Sequence, residues 1–411
     1  MPNTSSPSPS DDGVAGPAAR VSTPQRFSRR RVIALAGGGT LVLAAGGGFW
    51  RAADQGVFST GQGPAYAPWD DWRSAATGPL NLVRAAILAA NPHDAQAWLF
   101  RVADTRIDLF VDPTRHIGLA DPFLSEMYIG VGCALENLLL AAPANGLAPR
   151  LILFPDPADA TSVARIVLAA GPTSVAELYQ AIPQRHTNRY PYALNKPISA
   201  PTLAALEALN SDPLVRVIWF TSAADRQRIG DRMVEAAQAF VADTPLNRDD
   251  NRWYRATWQD VQRERDGITL DAAGLPDLTR AVGKILPPAS LDQQNSYFVQ
   301  GVRQQTQTAA AFGLLAVRNR RENAQRVGVG RLWQRMHLWA TTQGLAMQPL
   351  NQLTELADRE VVLGSAPHFG DTVRALVDDP GWQALLTFRV GYPTHEALRS
   401  PRRAIADVLK R

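Results

Sequence analysis

Gly146-Leu147-Ala148 follows a long apolar stretch of helical pattern and recurs as Gly344-Leu345-Ala346 about two hundred residues later. In both places a short apolar strand comes first: Ile107–Val111 before the first tripeptide and Phe312–Val317 before the second. A succession of strand, helix and turn that recurs at one offset is typical of a duplicated unit. The pattern therefore predicts an α+β protein made of two related halves fused in tandem.

Composition limits the classes of protein that need consideration. The 411 residues are 45% hydrophobic and 19% charged, which is typical of a folded chain with a sizeable core. The formal net charge is +4, but the arginines alternate with acidic residues, so nucleic acid is not a predicted partner. The single cysteine, Cys133, lies in the apolar run Ile129–Leu140, which predicts a buried thiol and excludes an intrachain disulfide.

The N-terminal region is predicted to be an export segment. Residues 1–26 are rich in Ser, Pro, Gly and Ala, and Arg29-Arg30-Arg31 then precedes the weakly apolar run Val32–Trp50. Paired arginines before such a run are typical of a twin-arginine signal, so we expect export across the cytoplasmic membrane by that machinery. An ordinary transmembrane helix is the alternative, and the many glycines of the run disfavour it. Because no clear Ala-x-Ala site follows, the segment could remain as an anchor.

Pattern changes divide the rest of the chain. Residues 1–60 are predicted to hold the disordered tail, the signal and a linker, since Gly and Pro break any regular pattern over 51–68. Residues 61–183 form the predicted first half and residues 184–411 the second. Residues 243–274 are polar and aromatic with little regularity, and they form a candidate lid over a binding site.

A basic cluster begins the second half. Arg185, Thr187 and Arg189 place two guanidinium groups and a hydroxyl within five residues, and Pro191 stops any helix from continuing. Such a cluster can converge on one phosphate, with each charge-assisted hydrogen bond contributing roughly 1.5–3 kcal/mol. The alternative is an exposed basic turn that pairs with acidic neighbours.

A polar loop precedes the first strand. The helix predicted over 80–90 ends at Asn91-Pro92, and His93, Asp94 and Gln96 follow it. Wedged between a buried helix and a strand, these side chains can face a ligand while Trp98 anchors the loop. The alternative is that these side chains only form hydrogen bonds within their own loop.

These stretches resemble the nitroreductase family of flavin enzymes, and in particular its fused, Acg-like actinobacterial branch, over roughly residues 69–411. Ala89–Trp98 is similar to the family's flavin-facing loop, although Asp94 and Ala97 depart from it. Arg185, Thr187 and Arg189 match the family's FMN-phosphate motif, with His186 departing. A C-terminal basic element and a backbone stretch along the flavin ring complete the resemblance at these positions: Arg402, Arg403, Pro349, Leu350 and Asn351.

The resemblance implies a nitroreductase-like mixed sheet flanked by helices, with the two halves forming an intrachain pseudo-dimer that acts as a monomer. It implies one FMN site per chain, because the loop lies in the first half and the basic cluster in the second. The implied activity is two-electron reduction of quinone-like or nitroaromatic acceptors with NAD(P)H, without an obligatory catalytic side chain. Two alternatives remain open: a flavin-binding or flavin-storing protein with a covered site, and an exported binding module without flavin. No histidine spacing predicts a metal site.

Overall fold

The structure, a computed structural model, describes residues 48–73 and 78–410. The chain divides into two compact units, Met1–Trp50 and Arg51–Arg411, and the fold given below is that of the second unit. The paired arginines and almost all of the apolar run predicted as an export signal lie outside the described residues. The linker expected over residues 51–68 is not one, because Ala52, Ala65 and Tyr66 are buried in the folded unit.

Two four-stranded antiparallel sheets form the centre of the fold. The first sheet has the strand order β1-β2-β4-β3 and consists of β1 Trp98–Ala103, β2 Arg106–Val111, β3 Leu147–Leu153 and β4 Ser162–Ala170. The second has the order β5-β8-β10-β9 and consists of β5 Val215–Phe220, β8 Ala311–Val317, β9 Ala346–Pro349 and β10 Gln383–Gly391. When the strands of each sheet are counted along the chain, both sheets have the same order: first, second, fourth, third. This shared topology confirms the α+β class and is consistent with two halves fused in tandem.

Helices cover and connect the sheets. The helices that precede β5 are α1 Ala67–Asp70, α2 Leu80–Ala86, α3 Ser125–Ala144, α4 Glu177–Gln180 and α5 Ala200–Glu207. Those between β5 and β8 are α6 Ala223–Ala242, α7 Thr244–Asn251, α8 Trp258–Glu264, α9 Asp277–Ile285 and α10 Leu291–Gln307. The remaining helices are α11 Asn323–Thr342, α12 Gln352–Leu363, α13 His368–Val377 and α14 Ile405–Val408. Two short strands, β6 Tyr254–Arg255 and β7 Ile268–Thr269, pair in parallel within the candidate lid.

The two halves differ mainly in one connection. Asp104-Thr105 joins β1 to β2 in a tight turn, whereas residues 221–310 separate β5 from β8 and carry α6 to α10. All seven residues of β8 are buried, because the strand lies in the middle of its sheet with helices over both faces. The candidate lid is thus an insertion into the second half.

The long helices α3 and α11 cross at a pair of glycines. A Cβ atom on Gly132 would collide with the carbonyl oxygen of Val327, and one on Gly330 would collide with that of Ile129. The contact is reciprocal, as at a two-fold interface, and the repeated sequences Ile129–Gly132 and Val327–Gly330 create it. Helix α3 is also long and apolar enough to cross a membrane, but most of it is buried in the folded unit.

The C-terminal tail returns to the first half. The backbone N–H of Lys410 donates to the carbonyl of Phe100 at 2.7 Å, at the edge of the first sheet. The backbone N–H of Arg402 donates to Ala65 at 2.7 Å, and the Trp69 indole donates to the carbonyl of Ser400 at 2.8 Å. These contacts bring Arg402 from the end of the second half to the loop that precedes β1.

Several element boundaries differ from those expected. The helix expected over 80–90 ends at Ala86. The strands expected over Ile107–Val111 and Phe312–Val317 each begin one residue earlier, at Arg106 and Ala311. No prediction from the sequence covers β4, α9, α10, α12 and α13.

Candidate functional site

The loop before β1 has a strained backbone. His93, Asp94 and Gln96 have φ angles of 49°, 53° and 54°, in the left-handed region that non-glycine residues rarely adopt. Each such residue costs of order 1–3 kcal/mol, so its surroundings must hold it in place. Asn91 does part of this, since its side-chain oxygen accepts a hydrogen bond from the backbone N–H of Gln96 at 2.8 Å. Strain of this kind concentrates at functional sites, which marks the loop as a candidate.

Gln96 ties the loop to two distant segments. Its side-chain amide donates to the carbonyl of Arg265 in the candidate lid at 2.9 Å. Its side-chain oxygen accepts from the backbone N–H of Arg403 at 2.8 Å. Gln96 is fully buried, so it fastens the loop, the candidate lid and the C-terminal tail together.

Arg185 is a buried cation with little compensation. Its side chain donates to the carbonyl of Leu88 at 3.1 Å and lies 3.5 Å from Nδ1 of His337 on α11. Within the described part of the chain, its Nε has no hydrogen-bond partner and the guanidinium forms no ion pair. Burial lowers the pKa of Arg185 to about 9, and the nearby charge of Arg402 adds to the shift, while Asp94 opposes it only in part. An anionic ligand would supply the missing compensation.

Arg402 joins this cation from the C-terminal tail. Its guanidinium is buried and lies 2.5 Å from a carboxylate oxygen of Asp94. Burial raises the pKa of Asp94 to about 7, although Arg402 opposes the shift. Arg189 is half-buried and donates to the carbonyl of Ala272 at 3.2 Å. Three arginines thus face one carboxylate that is itself partly protonated near neutral pH, and the local charge is positive.

These residues line one pocket. Its cavity volume is about 50 Å³, and its walls are formed by Ala90, Asn91, Asp94, Arg185, His186, Thr187, Arg189, Gly267, Ile268, Ala272, Leu398, Ser400 and Arg402. The polar loop and the basic cluster, which lie about ninety residues apart in the sequence, therefore face each other across a common cleft.

Several known proteins are similar to this chain. No protein-family model matches the chain. Two curated proteins of Mycobacterium tuberculosis, from strains CDC 1551 and H37Rv and both described as "Putative NAD(P)H nitroreductase", are each 26% identical to it over 336 residues. The alignment covers 79% of this chain and 89% of each relative. The chain resembles nitroreductases. This similarity supports the family that the sequence motifs indicate.

Solved structures give matches over a little more than half of this nitroreductase-like chain. One is an FMN-dependent nitroreductase from Mycobacterium smegmatis in complex with NADPH, with 21% identity, 57% of this chain and 97% of that chain covered, and a TM-score of 0.36. Another is a nitroreductase with bound FMN from Desulfitobacterium hafniense, with 16% identity, 58% and 99% coverage, and a TM-score of 0.35.

The candidate lid lies against the pocket of the nitroreductase-like chain. The backbone N–H of Gly267 donates to the carbonyl of Asp94 at 3.3 Å, and Gly274 lies against the backbone of Arg189 so closely that a Cβ atom would not fit. The buried carboxylate of Asp266 pairs with Arg115 of the first half and, at 2.6 Å, with Arg255. The segment 243–274 is thus fastened over the cleft in this structure.

Other predicted site residues lie outside the pocket lining. His93 faces Asp250 of α7 at 2.6 Å, and Leu350 is buried in the core of the second half. Asn351 donates to the carboxylate of Glu126 at 2.6 Å. The predicted residues that do not line the pocket are His93, Gln96, Pro349, Leu350, Asn351 and Arg403. Their contact with a cofactor stays a prediction, whereas Asp94, Arg185, Thr187, Arg189 and Arg402 are brought together.

An acidic cluster lies beneath the loop. Burial and the neighbouring Glu126 raise the pKa of Glu355 well above its usual range, and burial raises that of Asp121 to about 7. Burial disfavours a charged imidazole at His93, but the Asp250 carboxylate more than offsets it and raises the pKa of His93. His93 therefore connects the strained loop to α7 through its contact with Asp250.

Sequence reasoning missed several contributors. His337 and Gln334 reach the site from α11, where Gln334 accepts a hydrogen bond from the backbone N–H of Ala90 at 3.2 Å. Nothing in the local pattern of a buried helix distinguishes these two residues from core positions. Asn91 had a usable signal, since an Asn before Pro commonly bonds to the backbone of its own turn. His186 packs edge-on against Trp69 at 4.6 Å between ring centroids, and burial keeps its pKa well below the usual range.

Proposed function

We propose that the chain binds FMN in the cleft between the loop 91–97 and the basic cluster 185–189, and that it is a nitroreductase-type oxidoreductase. NAD(P)H is the proposed electron donor, and quinone-like or nitroaromatic compounds are the proposed acceptors. The observation that carries the proposal is the pocket itself. Arg185, Thr187, Arg189 and Arg402 line it, and Arg185 forms no ion pair within the described residues.

The residue types fit the phosphate of FMN. Guanidinium groups form short, directional hydrogen bonds with phosphate oxygens, and Thr187 adds a hydroxyl. The volume fits only if the cover moves, because sites for small molecules enclose roughly 300–1,000 Å³ and this cavity has about 50 Å³. Gly267, Ile268 and Ala272 of the segment 243–274 form that cover. Cofactor entry therefore requires displacement of this segment.

When bound, FMN supplies the two-electron chemistry that the side chains lack. The arginines would hold the anionic end of FMN, and the strained loop would present a fixed backbone surface in the same cleft. Asp94 is held by Arg402, which keeps its negative charge from facing the cleft alone. The segment 243–274 excludes water when it is closed, and excluding water strengthens every charged contact inside the site. The family resemblance implies that the donor and then the acceptor use the same cleft in turn.

We further propose that the protein is exported across the cytoplasmic membrane by the twin-arginine machinery. The support is Arg29-Arg30-Arg31 followed by the apolar run Val32–Trp50. That route carries folded proteins, which suits a chain that takes up its cofactor before export. A size comparison of cytoplasmic and exported protein, with the same comparison for an Arg29→Lys, Arg30→Lys, Arg31→Lys variant, tests the proposal. Export of the variant at the normal rate would contradict it.

A second candidate function rests on the closed cover. Asp266 fastens the segment 243–274 through two arginines, and a site that stays covered hinders nicotinamide entry. The chain would then bind or store FMN with little turnover. This candidate shares the FMN site with the first and differs only in reactivity towards NAD(P)H.

Two measurements test these functions. The purified protein should be yellow and carry about one FMN per chain, since one cleft combines the loop with the basic cluster. Anaerobic stopped-flow mixing with NADPH or NADH should then bleach the flavin if the chain is an oxidoreductase. A yellow protein that is not bleached would favour the storage function, and a colourless protein that takes up no FMN would exclude both.

A further inference from the structure

Helix α9 has the opposite orientation to that expected of an amphipathic helix on a folded protein. Its two basic residues, Arg280 and Lys284, face inward, with 12% and 10% of their side chains exposed. Both pair with the buried carboxylate of Asp271, at 3.1 Å and 2.8 Å. An amphipathic helix usually turns its apolar face to the core and its charges to water. Here the ion pairs hold the helix by its polar face.

The apolar face of α9 is consequently exposed. Leu278 is 77% exposed and Val282 is 45% exposed, and the two lie one turn apart on the same side of the helix. Leu286, directly after the helix, is 55% exposed and continues the row by another turn. A row of large apolar residues on one exposed face marks an interaction surface more often than scattered single residues do.

The first residues of the folded unit lie against α9, and they indicate what covers its apolar face. The side chain of Arg51 donates to the carbonyl of Ile285, at the end of α9, at 2.5 Å. Lys284 donates to the carbonyl of Gly56 at 3.2 Å. The segment that follows the apolar run 32–50 therefore contacts the C-terminal end of α9, next to Leu286 at the end of the exposed row. If this run lies in a bilayer, the membrane surface is within reach of the helix.

We propose that the face of α9 formed by Leu278, Val282 and Leu286 docks on the lipid bilayer that holds residues 32–50. Leucine and valine on one side of a helix can enter the boundary between headgroups and acyl chains. A helix of nine residues binds a membrane weakly alone, but the adjoining segment keeps it at a high effective concentration near the lipid. This surface is independent of any flavin chemistry.

Site-specific fluorescence tests the proposal in the full-length protein. Cys133 is 1% exposed, so a cysteine introduced as Val282→Cys can be labelled selectively with an environment-sensitive dye. Val362→Cys on α12 is the matched control, because Val362 is 48% exposed against 45% for Val282. On addition of vesicles of phosphatidylcholine and phosphatidylglycerol, we expect a blue shift at position 282 and quenching there by nitroxide-labelled lipid, with no change at position 362. Leu278→Ser with Leu286→Ser should reduce both signals at position 282.

Four results would overturn the proposal. An unchanged dye at position 282 means that the helix does not touch lipid, and equal shifts at positions 282 and 362 mean general adsorption. A shift before vesicles are added that does not depend on protein concentration means that the chain's own apolar run covers α9. A shift without vesicles that grows with protein concentration means that a second copy covers it. These variants change exposed residues, so their thermal unfolding should match that of the unsubstituted protein.

Discussion

The two halves contain the same junction of helix, loop and strand, but only one junction forms part of the candidate site. Between α2 and β1, the loop packs against α3, where Asn91 and Pro92 approach Gly130. Between α5 and β5, the loop packs against α11, where Asp212 approaches Gly328. The glycines occupy equivalent places in the sequences Ile129–Gly132 and Val327–Gly330. The scaffold is shared, so the difference lies in the side chains placed upon it.

The two junctions differ in whether the charges of their arginines are neutralised by a carboxylate. The pocket at the second junction is larger, about 230 Å³, and contains Arg331 and Arg335. Both arginines face the buried carboxylate of Glu136, at 2.8 Å and 3.5 Å. At the first junction Arg185 forms no ion pair within the described residues. A buried charge without a partner is costly, and it is retained where a ligand completes it.

The two junctions also differ in backbone strain. Three residues of the loop 91–97 have positive φ, while residues 208–214, all of which the structure describes, contain none. The cover 243–274 also lies on the first junction only. The comparison teaches that one architecture can carry a strained, covered and positively charged site on one side and an ordinary surface pocket on the other.

The largest effect is expected when the arginine side chains proposed to bind the phosphate are removed. Arg185→Ala with Arg189→Ala should weaken FMN binding at least about 100-fold, because two charge-assisted hydrogen bonds of roughly 1.5–3 kcal/mol each are lost. Titration of the apoprotein with FMN, followed by flavin fluorescence, measures this loss.

The matched control lies in the other pocket. Arg331→Gln with Arg335→Gln and Glu136→Gln removes both arginines there without leaving a buried carboxylate alone. FMN affinity should remain within about twofold of the unsubstituted protein. Equal losses in the two sets of variants would show that the two junctions do not differ as described.

The next effect concerns the two loop-facing glycines. The Cβ atom of Gly130→Ala would lie 2.9 Å from the rigid ring of Pro92, so the site loop must shift. Such overpacking costs about 1–3 kcal/mol, and FMN affinity should fall about tenfold. The same titration measures this change.

Gly328→Ala is the partner experiment. Its Cβ atom would meet the flexible carboxylate of Asp212 at 2.7 Å, which can rotate away. Because alanine favours a helix over glycine by about 1 kcal/mol, the melting temperature should rise while FMN affinity stays unchanged. A loss of affinity in this variant would refute the assignment of the site to the first junction.

A smaller effect is expected at the cover. Asp266→Asn weakens the pairing with Arg115 and Arg255, so the segment 243–274 should open more readily and FMN uptake by the apoprotein should be about tenfold faster. Stopped-flow quenching of flavin fluorescence gives the rate. Asp407→Asn, which weakens the exposed pair with Arg265, should leave the rate unchanged. Uptake at the normal rate in Asp266→Asn would mean that this contact does not limit entry.

The smallest effect is a pH dependence. Asp94 has a pKa raised to about 7, so it gains negative charge as the pH increases through neutrality. That charge opposes a phosphate nearby, and FMN binding should weaken about threefold between about pH 6.5 and 8. Asp94→Asn should flatten this dependence. A raised carboxyl pKa also contributes stability that is fully present below the ordinary pKa and is lost as the pH rises to about 7, so protein without FMN should become less stable between about pH 4 and about pH 7.

The sequence by itself determined the α+β class, the two halves and the positions of the polar loop and the basic cluster. Apolar period, turn residues and the repeated tripeptide are local signals, and the backbone obeys them locally. The same signals did not indicate α9, whose apolar face is exposed because ion pairs to Asp271 hold its other face. They also indicated Gln96 as a ligand contact, which stays a prediction, but they did not indicate that its buried amide fastens three segments together.

Only the tertiary structure decided that Asp94 meets Arg402 and that Arg185 forms no ion pair within the described residues. These facts depend on contacts between residues about three hundred positions apart, which appear only after the C-terminal tail has crossed to the first sheet. A local pattern can state which charges are present. Whether a charge is neutralised is decided by the neighbours that folding brings to it.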